Sequence, residues 1–267
     1  MRINEIDNTD EIKSLLKLNF KINGKISIVN RRVDVDGDCR LATKCNTLPV
    51  KFNKVSGDFN CRYNKLTSLQ GGPTSIGGDF RCNNNQLTSL QGAPTEVDGH
   101  FYCNLNQLTT LEGAPVSVGG VFHCYNNQLT SLQGAPVSVG GGFHCYNNQL
   151  TSLQGAPTSV GGYFGCYNNQ LTSLQGAPTS VGKDFDCCNN QLTTLQGAPT
   201  SVGWDFFCDY NENLELLKLL FIKKLNSINI RTDIDNIMNK YIGKGPGGAL
   251  ACAAELIKAG YKENAKR

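Results

Sequence analysis

A repeat of 21 residues runs through most of this 267-residue chain. Residues 140–160 read GGGFHCYNNQLTSLQGAPTSV, and residues 161–181 read GGYFGCYNNQLTSLQGAPTSV. Cysteine returns at this interval from Cys61 to Cys208, and a phenylalanine stands two positions before each of these cysteines. A period of this length indicates a solenoid, in which each rung (one 21-residue turn of the chain) buries its apolar face only by stacking on its neighbours.

Each rung is too short for a strand plus a full helix, so we expect a strand, a bend and an extended or short-helical return. Phenylalanine and cysteine are two positions apart and therefore point to the same face of that strand. We expect Leu66, Leu69, Ile76 and their counterparts to face the same interior. The asparagine three residues after each cysteine suits a turn whose amide bonds the adjoining rung, and stacked amides can form a mutual hydrogen-bonded ladder. The predicted fold is a repeat solenoid with a parallel β-sheet on its concave face.

The pattern Phe-x-Cys-x-x-Asn-x-Leu-x-x-Leu resembles the leucine-rich repeat signature. The stretch LTSLQGAPTSVGGYFGCYNNQ is similar to the short repeats of bacterial secreted effectors, and the Gly-Gly-x-Phe-x-Cys repeats are similar to those of uncharacterised tailed-phage proteins. The resemblance covers about residues 38–211. It implies a leucine-rich-repeat-like scaffold and a phage origin, and it implies little about function because such repeats are generic.

Three segments are predicted: an N-terminal cap (1–37), a solenoid of about nine rungs (38–211) and a helical C-terminal cap and tail (212–267). Residues 1–56 hold 11 basic and 7 acidic side chains (+4), and the C-terminal segment holds 10 and 6 (+4). The remaining residues, 57–211, hold 4 and 9 (−5), so an acidic body has two basic ends.

In the N-terminal cap we predict a helix that starts after Asn8 and a hairpin that turns at Asn23-Gly24. The sequence Cys39-Arg40-Leu41 is typical of a degenerate first rung.

At the C-terminal end, helical spacing from Leu214 predicts a helix that covers the open sheet edge of the last rung. Two short helices are predicted over 232–242 and 249–265, with the glycine-rich residues 243–248 as a plain turn between them. The chain has no apolar run that would span a membrane, and its first eight residues, MRINEIDN, have no apolar core, so we expect no secretory signal.

Eight of the 12 cysteines occupy one repeat position, which favours buried structural thiols over zinc ligands, because zinc ligands come in close pairs. Cross-linking between rungs and metal binding are weaker alternatives, and reduced thiols favour an intracellular compartment. Cys188, beside Cys187, is expected to point outward.

Some effectors with similar repeats are ubiquitin ligases that carry a catalytic Cys-x-Asp, whereas here Cys252 stands in Ala-Cys-Ala-Ala. We therefore expect no enzyme, no metal and no cofactor.

The residues around each Phe-x-Cys step vary and are expected to face outward. They form an aromatic middle with an acidic end, which is typical of an interface with aromatic anchors and a charged rim. The candidate partner-binding residues are His100, Tyr102, His123, Tyr125, His144, Tyr146, Tyr163, Tyr167, Asp184, Asp186, Asp205 and Asp209. Neutral drift of duplicated repeats is the open alternative to selection for binding.

These features predict a protein-protein interaction scaffold that binds a protein partner on the concave strand face, and for a phage protein the partner would be a host factor. The alternative is a structural or assembly spacer whose basic helical ends make the contacts. A weaker alternative is that the basic ends bind nucleic acid, although a net charge of only +3 argues against a general nucleic-acid-binding function.

Overall fold

A computed structural model of the chain describes residues 8–211, 220, 222, 225, 227–229, 232–261 and 265. Nearly all of the helix predicted from Leu214 lies outside the described residues. The chain forms two compact units, of which unit 1 comprises Met1–Leu129 with Gln133–Gly140, and unit 2 comprises Thr130–Leu132 with Gly141–Arg267. Each unit is a parallel β-solenoid, and the two contain about nine turns in all, which confirms the predicted fold class.

Unit 1 begins with helix α1, Thr9–Asn19, which starts as predicted because the Asn8 side chain accepts a hydrogen bond from the Asp10 amide at 2.9 Å. Strand β1, Phe20–Val29, then pairs antiparallel with β2, Arg32–Leu41.

The hairpin predicted at Asn23-Gly24 is wrong, because the chain turns at Asn30-Arg31, where φ is 50° and 61°. Gly24 instead lies within β1, directly opposite Gly37 of β2. A Cβ at Gly24 would come within 2.1 Å of the Asp36 carbonyl oxygen. Here the glycine of Asn-Gly allows two strands to lie close together, and the pair does not form a turn.

Two ladders of short parallel strands follow. In unit 1 the Phe-Cys ladder, which carries the Phe-x-Cys steps, contains the end of β2 and four further strands: β4 (Phe59–Asn60), β6 (Phe80–Arg81), β8 (Phe101–Tyr102) and β10 (Phe122–His123). The return ladder of unit 1 contains β3 (Phe52–Val55), β5 (Ser75–Ile76), β7 (Glu96–Val97), β9 (Ser117–Val118) and β11 (Ser138–Val139). Equivalent residues pair, and Cys39 pairs with Phe59, so the degenerate first rung is confirmed.

Unit 2 repeats this arrangement. Its Phe-Cys ladder contains β12 (Phe143–His144), β14 (Phe164–Gly165), β16 (Phe185–Asp186), β18 (Asp205–Phe207) and β19 (Ser227–Asn229). Its return ladder contains β13 (Ser159–Val160), β15 (Ser180–Val181) and β17 (Ser201–Val202). In the described residues, the returns between the ladders consist of turns, bends and irregular backbone and contain no helix.

The interior of both units is built from the repeated apolar positions, as predicted. The phenylalanines and cysteines of the eight regular rungs are at most 1% exposed, and the leucine pairs of the first seven, from Leu66 and Leu69 to Leu192 and Leu195, are at most 3% exposed. Neighbouring phenylalanine rings stack, with centroids 5.2 Å apart for Phe80 and Phe101 and 5.4 Å apart for Phe164 and Phe185. The Cys82 thiol donates to the Tyr102 carbonyl at 3.2 Å, so this sulfur also links successive rungs.

The repeated asparagine does bond the adjoining rung. In unit 1 the Leu66 amide donates to Asn85 Oδ1 at 3.0 Å, and Asn85 Nδ2 donates to the carbonyls of Cys61 and Cys82, each at 3.0 Å. These bonds go to backbone groups, so the predicted ladder of mutual amide bonds at this position is wrong. Amide-to-amide bonds occur instead one residue earlier, where Asn168 Nδ2 donates to Asn147 Oδ1 at 2.7 Å.

Unit 2 ends in β19 and two helices, α2 (Thr232–Asn239) and α3 (Gly245–Lys258). Both helices were predicted, but residues 243–248 do not form only a plain turn, because α3 already begins at Gly245 with Pro246 in its first turn. The Glu255 carboxylate of α3 accepts hydrogen bonds from Lys240 and from the Tyr241 hydroxyl, which ties the turn after α2 to α3. Among the described helices, none has the length and apolar character needed to cross a bilayer.

Candidate interaction surface

The twelve predicted partner-binding residues all flank the Phe-Cys ladder and are partly exposed. Unit 1 holds His100, Tyr102, His123 and Tyr125, and unit 2 holds the other eight. Their inward neighbours, the phenylalanines and cysteines, are buried. Because successive side chains of a strand point to opposite faces, the uniform phenylalanine and cysteine side lies inside and the variable side lies outside. We call this outer, variable side of the Phe-Cys ladder the strand face of each unit.

One column of the unit 1 strand face has a structural task that the sequence did not indicate. Asp58 Oδ1 accepts a hydrogen bond from the Asp79 amide at 2.8 Å, and Asp79 Oδ1 accepts one from the His100 amide at 2.7 Å. His100 Nδ1 accepts one from the Val121 amide at 2.8 Å. These side chains link each rung to the next, so His100 has a stabilising role irrespective of any partner.

The next column of unit 1 presents stacked rings and a paired guanidinium. The Arg81 guanidinium bonds Asp58 at 2.7 Å and Asp79 at 2.6 Å, and it lies 5.6 Å from the centroid of the Tyr102 ring. Tyr102 stacks on His123 with centroids 4.6 Å apart and planes within 9°. Such cross-strand aromatic pairs stabilise a sheet.

Beside these rings lies a polar groove of about 440 Å³, which we call the unit 1 groove. It is lined by Arg62, Arg81, Asn83, Tyr102, Asn104 and Tyr125. Sequence reasoning included only the two tyrosines as binding residues. Arg62, Asn83, Asn104 and Tyr125 occupy one repeat position on successive rungs, and that variable column is the signal that could have identified the groove.

In unit 2 a tyrosine ring fills the space left by a glycine. A Cβ at Gly165 would lie 2.4 Å from Cε1 of Tyr163, so only glycine leaves room for this ring. The Tyr163 hydroxyl donates to Asp186 Oδ2 at 2.9 Å, and the ring lies 5.0 Å from that of His144. Three predicted site residues from three rungs are thereby joined into one cluster.

Of the other predicted residues of unit 2, two tyrosines stack and two aspartate side chains accept hydrogen bonds, whereas Asp209 accepts a bond from the Asn189 amide through its main-chain carbonyl at 2.8 Å. Tyr146 and Tyr167 stack with centroids 4.3 Å apart. Asp184 Oδ1 accepts from the Asp205 amide at 3.0 Å, and Asp205 Oδ1 accepts from the Ser227 hydroxyl at 2.7 Å. The aspartate column therefore continues as a structural link between rungs.

Burial sets the protonation of this surface. It lowers the pKa of His144 from 6.5 to about 4, so the imidazole is neutral at physiological pH. Burial, together with the neighbouring Asp186 carboxylate, raises the pKa of Tyr163, so its hydroxyl remains a donor.

Burial also raises the pKa of the interior thiols, to about 12 for Cys39. A protonated, buried thiol is a poor nucleophile and a poor metal ligand. Cys188 is partly exposed, as expected, yet burial and the Asp186 carboxylate raise the pKa of its thiol too. Within the described residues, no group of three or more histidine, cysteine, aspartate or glutamate side chains is placed to hold a metal ion.

No protein-family model matches the chain, and a search of the curated proteins returns no significant match.

Proposed function

We propose that the chain is a non-enzymatic scaffold that binds a protein partner on its strand face. The observation that carries the proposal is the contrast between the two sides of the Phe-Cys ladder. The inner side repeats the same residues, whereas the outer side presents varied, rigidly stacked aromatic rings such as Tyr102 on His123 and Tyr146 on Tyr167. Rigid rings lose little conformational entropy when a partner binds.

We infer the kind of partner from the sequence resemblance alone. A phage protein of the leucine-rich-repeat type, acting inside the host cell, would bind a host factor. The features of the chain that favour this kinship are the 21-residue period, the buried leucine pair represented by Leu66 and Leu69, and the buried asparagine that bonds the backbone.

The test is quantitative affinity purification with matched double variants. Tyr102→Ala with Tyr125→Ala removes rings from unit 1, and Tyr146→Ala with Tyr167→Ala removes rings from unit 2. The control removes the exposed Val116 and Val137 beside the return ladder, which are 60% and 72% exposed.

At least one of the two tyrosine double variants should reduce partner recovery by about tenfold or more, because loss of an anchor residue has an effect of this size. The valine control variant should leave partner recovery unchanged. Full recovery with both tyrosine pairs, in variants that melt like the wild type, would refute the strand-face assignment.

A second candidate function is the assembly spacer, in which the ends of the chain make the contacts. It is favoured by an apolar groove of about 570 Å³ between α1 and β1, lined by Leu16, Phe20, Ile22, Ile26 and Ile28 and flanked by Lys13 and Lys17. Ile26 is 46% exposed, so Ile26→Asp should abolish association if the spacer function holds. The strand-face function predicts that this variant binds its partner normally.

A further inference from the structure

The unit 1 groove contains one guanidinium that lacks a carboxylate. Arg81 pairs with two carboxylates, those of Asp58 at 2.7 Å and Asp79 at 2.6 Å, so these three side chains together carry a net charge of −1. Arg62 has no carboxylate at ion-pair distance within the described residues, and its guanidinium lies 5.6 Å from the Tyr63 ring centroid. Arg62 is therefore the guanidinium of the groove that can pair with a ligand carboxylate, although Arg62, Arg81, Asp58 and Asp79 together carry no net charge.

Asn104 adds an independent observation. This residue lines the groove, is only 3% exposed, and its Oδ1 atom finds no hydrogen-bond donor in the described part of the chain. The buried Asn85 nearby has partners for both amide atoms. An unsatisfied buried carbonyl destabilises the free protein, and rotation of the Asn104 amide toward the groove would let a ligand N–H satisfy it.

The spacing of these two groups matches an extended chain. Arg62 and Asn104 occupy the same repeat position two rungs apart, and strands of adjacent rungs are about 4.8 Å apart, which places their backbones about 10 Å apart. An extended peptide covers that distance in about three residues. The rings of Tyr102 and Tyr125 line the same groove and offer apolar surface between the polar groups.

We propose that the unit 1 groove binds an acidic, extended segment of the partner protein. A carboxylate of that segment pairs with Arg62, and a backbone N–H about three residues away donates to Asn104 Oδ1. The side chain between them packs on Tyr102 and Tyr125. This inference rests on the proposed function and specifies which partner chemistry the strand face of unit 1 recognises.

The test uses a display library of random eight-residue peptides, selected on the full-length protein and then measured individually by fluorescence anisotropy. Enriched peptides should carry aspartate or glutamate at a fixed position, and exchange of that residue for its amide should weaken binding by about tenfold or more. Arg62→Gln should weaken binding to the same extent. Arg40→Gln is the matched control, because Arg40 lies on the same face of unit 1 but outside the groove, and it should change affinity less than about threefold.

A second variant separates binding from folding. Asn104→Leu keeps the approximate size of the side chain and removes the unsatisfied carbonyl. It should therefore keep or raise the melting temperature while it weakens peptide binding severalfold. A purely structural role of Asn104 predicts the opposite, a lower melting temperature and unchanged peptide affinity.

The inference would be overturned by the absence of any enriched peptide, by enriched peptides without an acidic preference, or by an Arg62→Gln effect no larger than that of Arg40→Gln. Binding of an oligogalacturonate that requires Arg62, without peptide enrichment, would assign the groove to an acidic saccharide and also overturn it. Neutral peptides that lose binding in Tyr102→Ala would overturn the acidic preference and leave the strand face as a protein-binding surface. Peptides insensitive to every strand-face variant would overturn both proposals.

Discussion

Replacement of the buried asparagine of one rung tests how successive rungs are held together. In unit 2 the Leu150 amide donates to Asn169 Oδ1 at 3.0 Å, and Asn169 Nδ2 donates to the Cys145 and Cys166 carbonyls at 3.2 Å and 3.0 Å. Asn169 is 9% exposed, so water cannot easily replace these bonds. Asn169→Ala therefore leaves the Leu150 amide without its acceptor, and the Cys145 and Cys166 carbonyls without the Asn169 donor.

The expected cost is about 3 kcal/mol, from roughly 1 kcal/mol for each lost bond. The adjacent Asn168 is the matched control, because it undergoes the same substitution but is exposed. Its exposed amide donates to Asn147 and accepts from Asn189, both at 2.7 Å, and its backbone is left-handed with φ of 54°, which alanine tolerates less well than asparagine. Asn168→Ala should cost about 1 kcal/mol.

The assay is urea unfolding of both variants, with amide hydrogen exchange to locate the effect. The free energy of unfolding should fall about three times as much for Asn169→Ala as for Asn168→Ala, and the Leu150 amide should exchange faster only in the former. An effect of Asn169→Ala equal to or smaller than that of its neighbour would refute the reasoning, because the buried amide would then not hold the rungs together.

Further predictions concern packing, protonation and thiol access in the same molecule. Gly165→Ala should destabilise the protein by about 1–3 kcal/mol because its Cβ would meet the Tyr163 ring at 2.4 Å, and Tyr163→Ala should relieve most of that cost in the double variant, as thermal melts would show. Burial lowers the pKa of His144 from 6.5 to about 4, so the unfolded chain binds this proton first as the pH falls. The free energy of unfolding should therefore decrease between pH 6.5 and 4, with a smaller decrease in His144→Gln; an equal decrease would contradict this. Cys45 is partly exposed whereas the repeat thiols are buried, so peptide mapping should find Ellman's reagent on Cys45 first and on the interior thiols only after denaturation.

The part of the fold that the 21-residue repeat determines, namely the buried positions of each rung, was predicted correctly from the sequence. A residue that recurs every 21 positions has the same environment in each rung, so Phe59, Cys61 and Leu66 could be assigned to the interior from their pattern alone. The Asn23-Gly24 hairpin was wrong because no repeat constrains that segment. There the pairing of Gly24 with Gly37, which are far apart in sequence, decided the outcome.

The candidate surface was less predictable, because its geometry depends on combinations of unlike residues from different rungs. Tyr163 reaches Asp186 only because position 165 is glycine, and the repeat pattern does not reveal such a three-residue condition. Likewise, the outward position of Asp79 and His100 was evident, whereas their bonds to the next rung require the actual backbone positions.

Hydroxyl-radical footprinting with mass spectrometry of the folded protein tests the central claim most directly, namely that phenylalanine and cysteine line the interior while histidine and tyrosine face the solvent. We expect Tyr125 and Tyr146 to be oxidised readily, and Phe122 and Cys124 to remain protected until the chain is denatured. Oxidation of Phe122 and Cys124 in the native protein at rates similar to those of the two tyrosines would contradict the account.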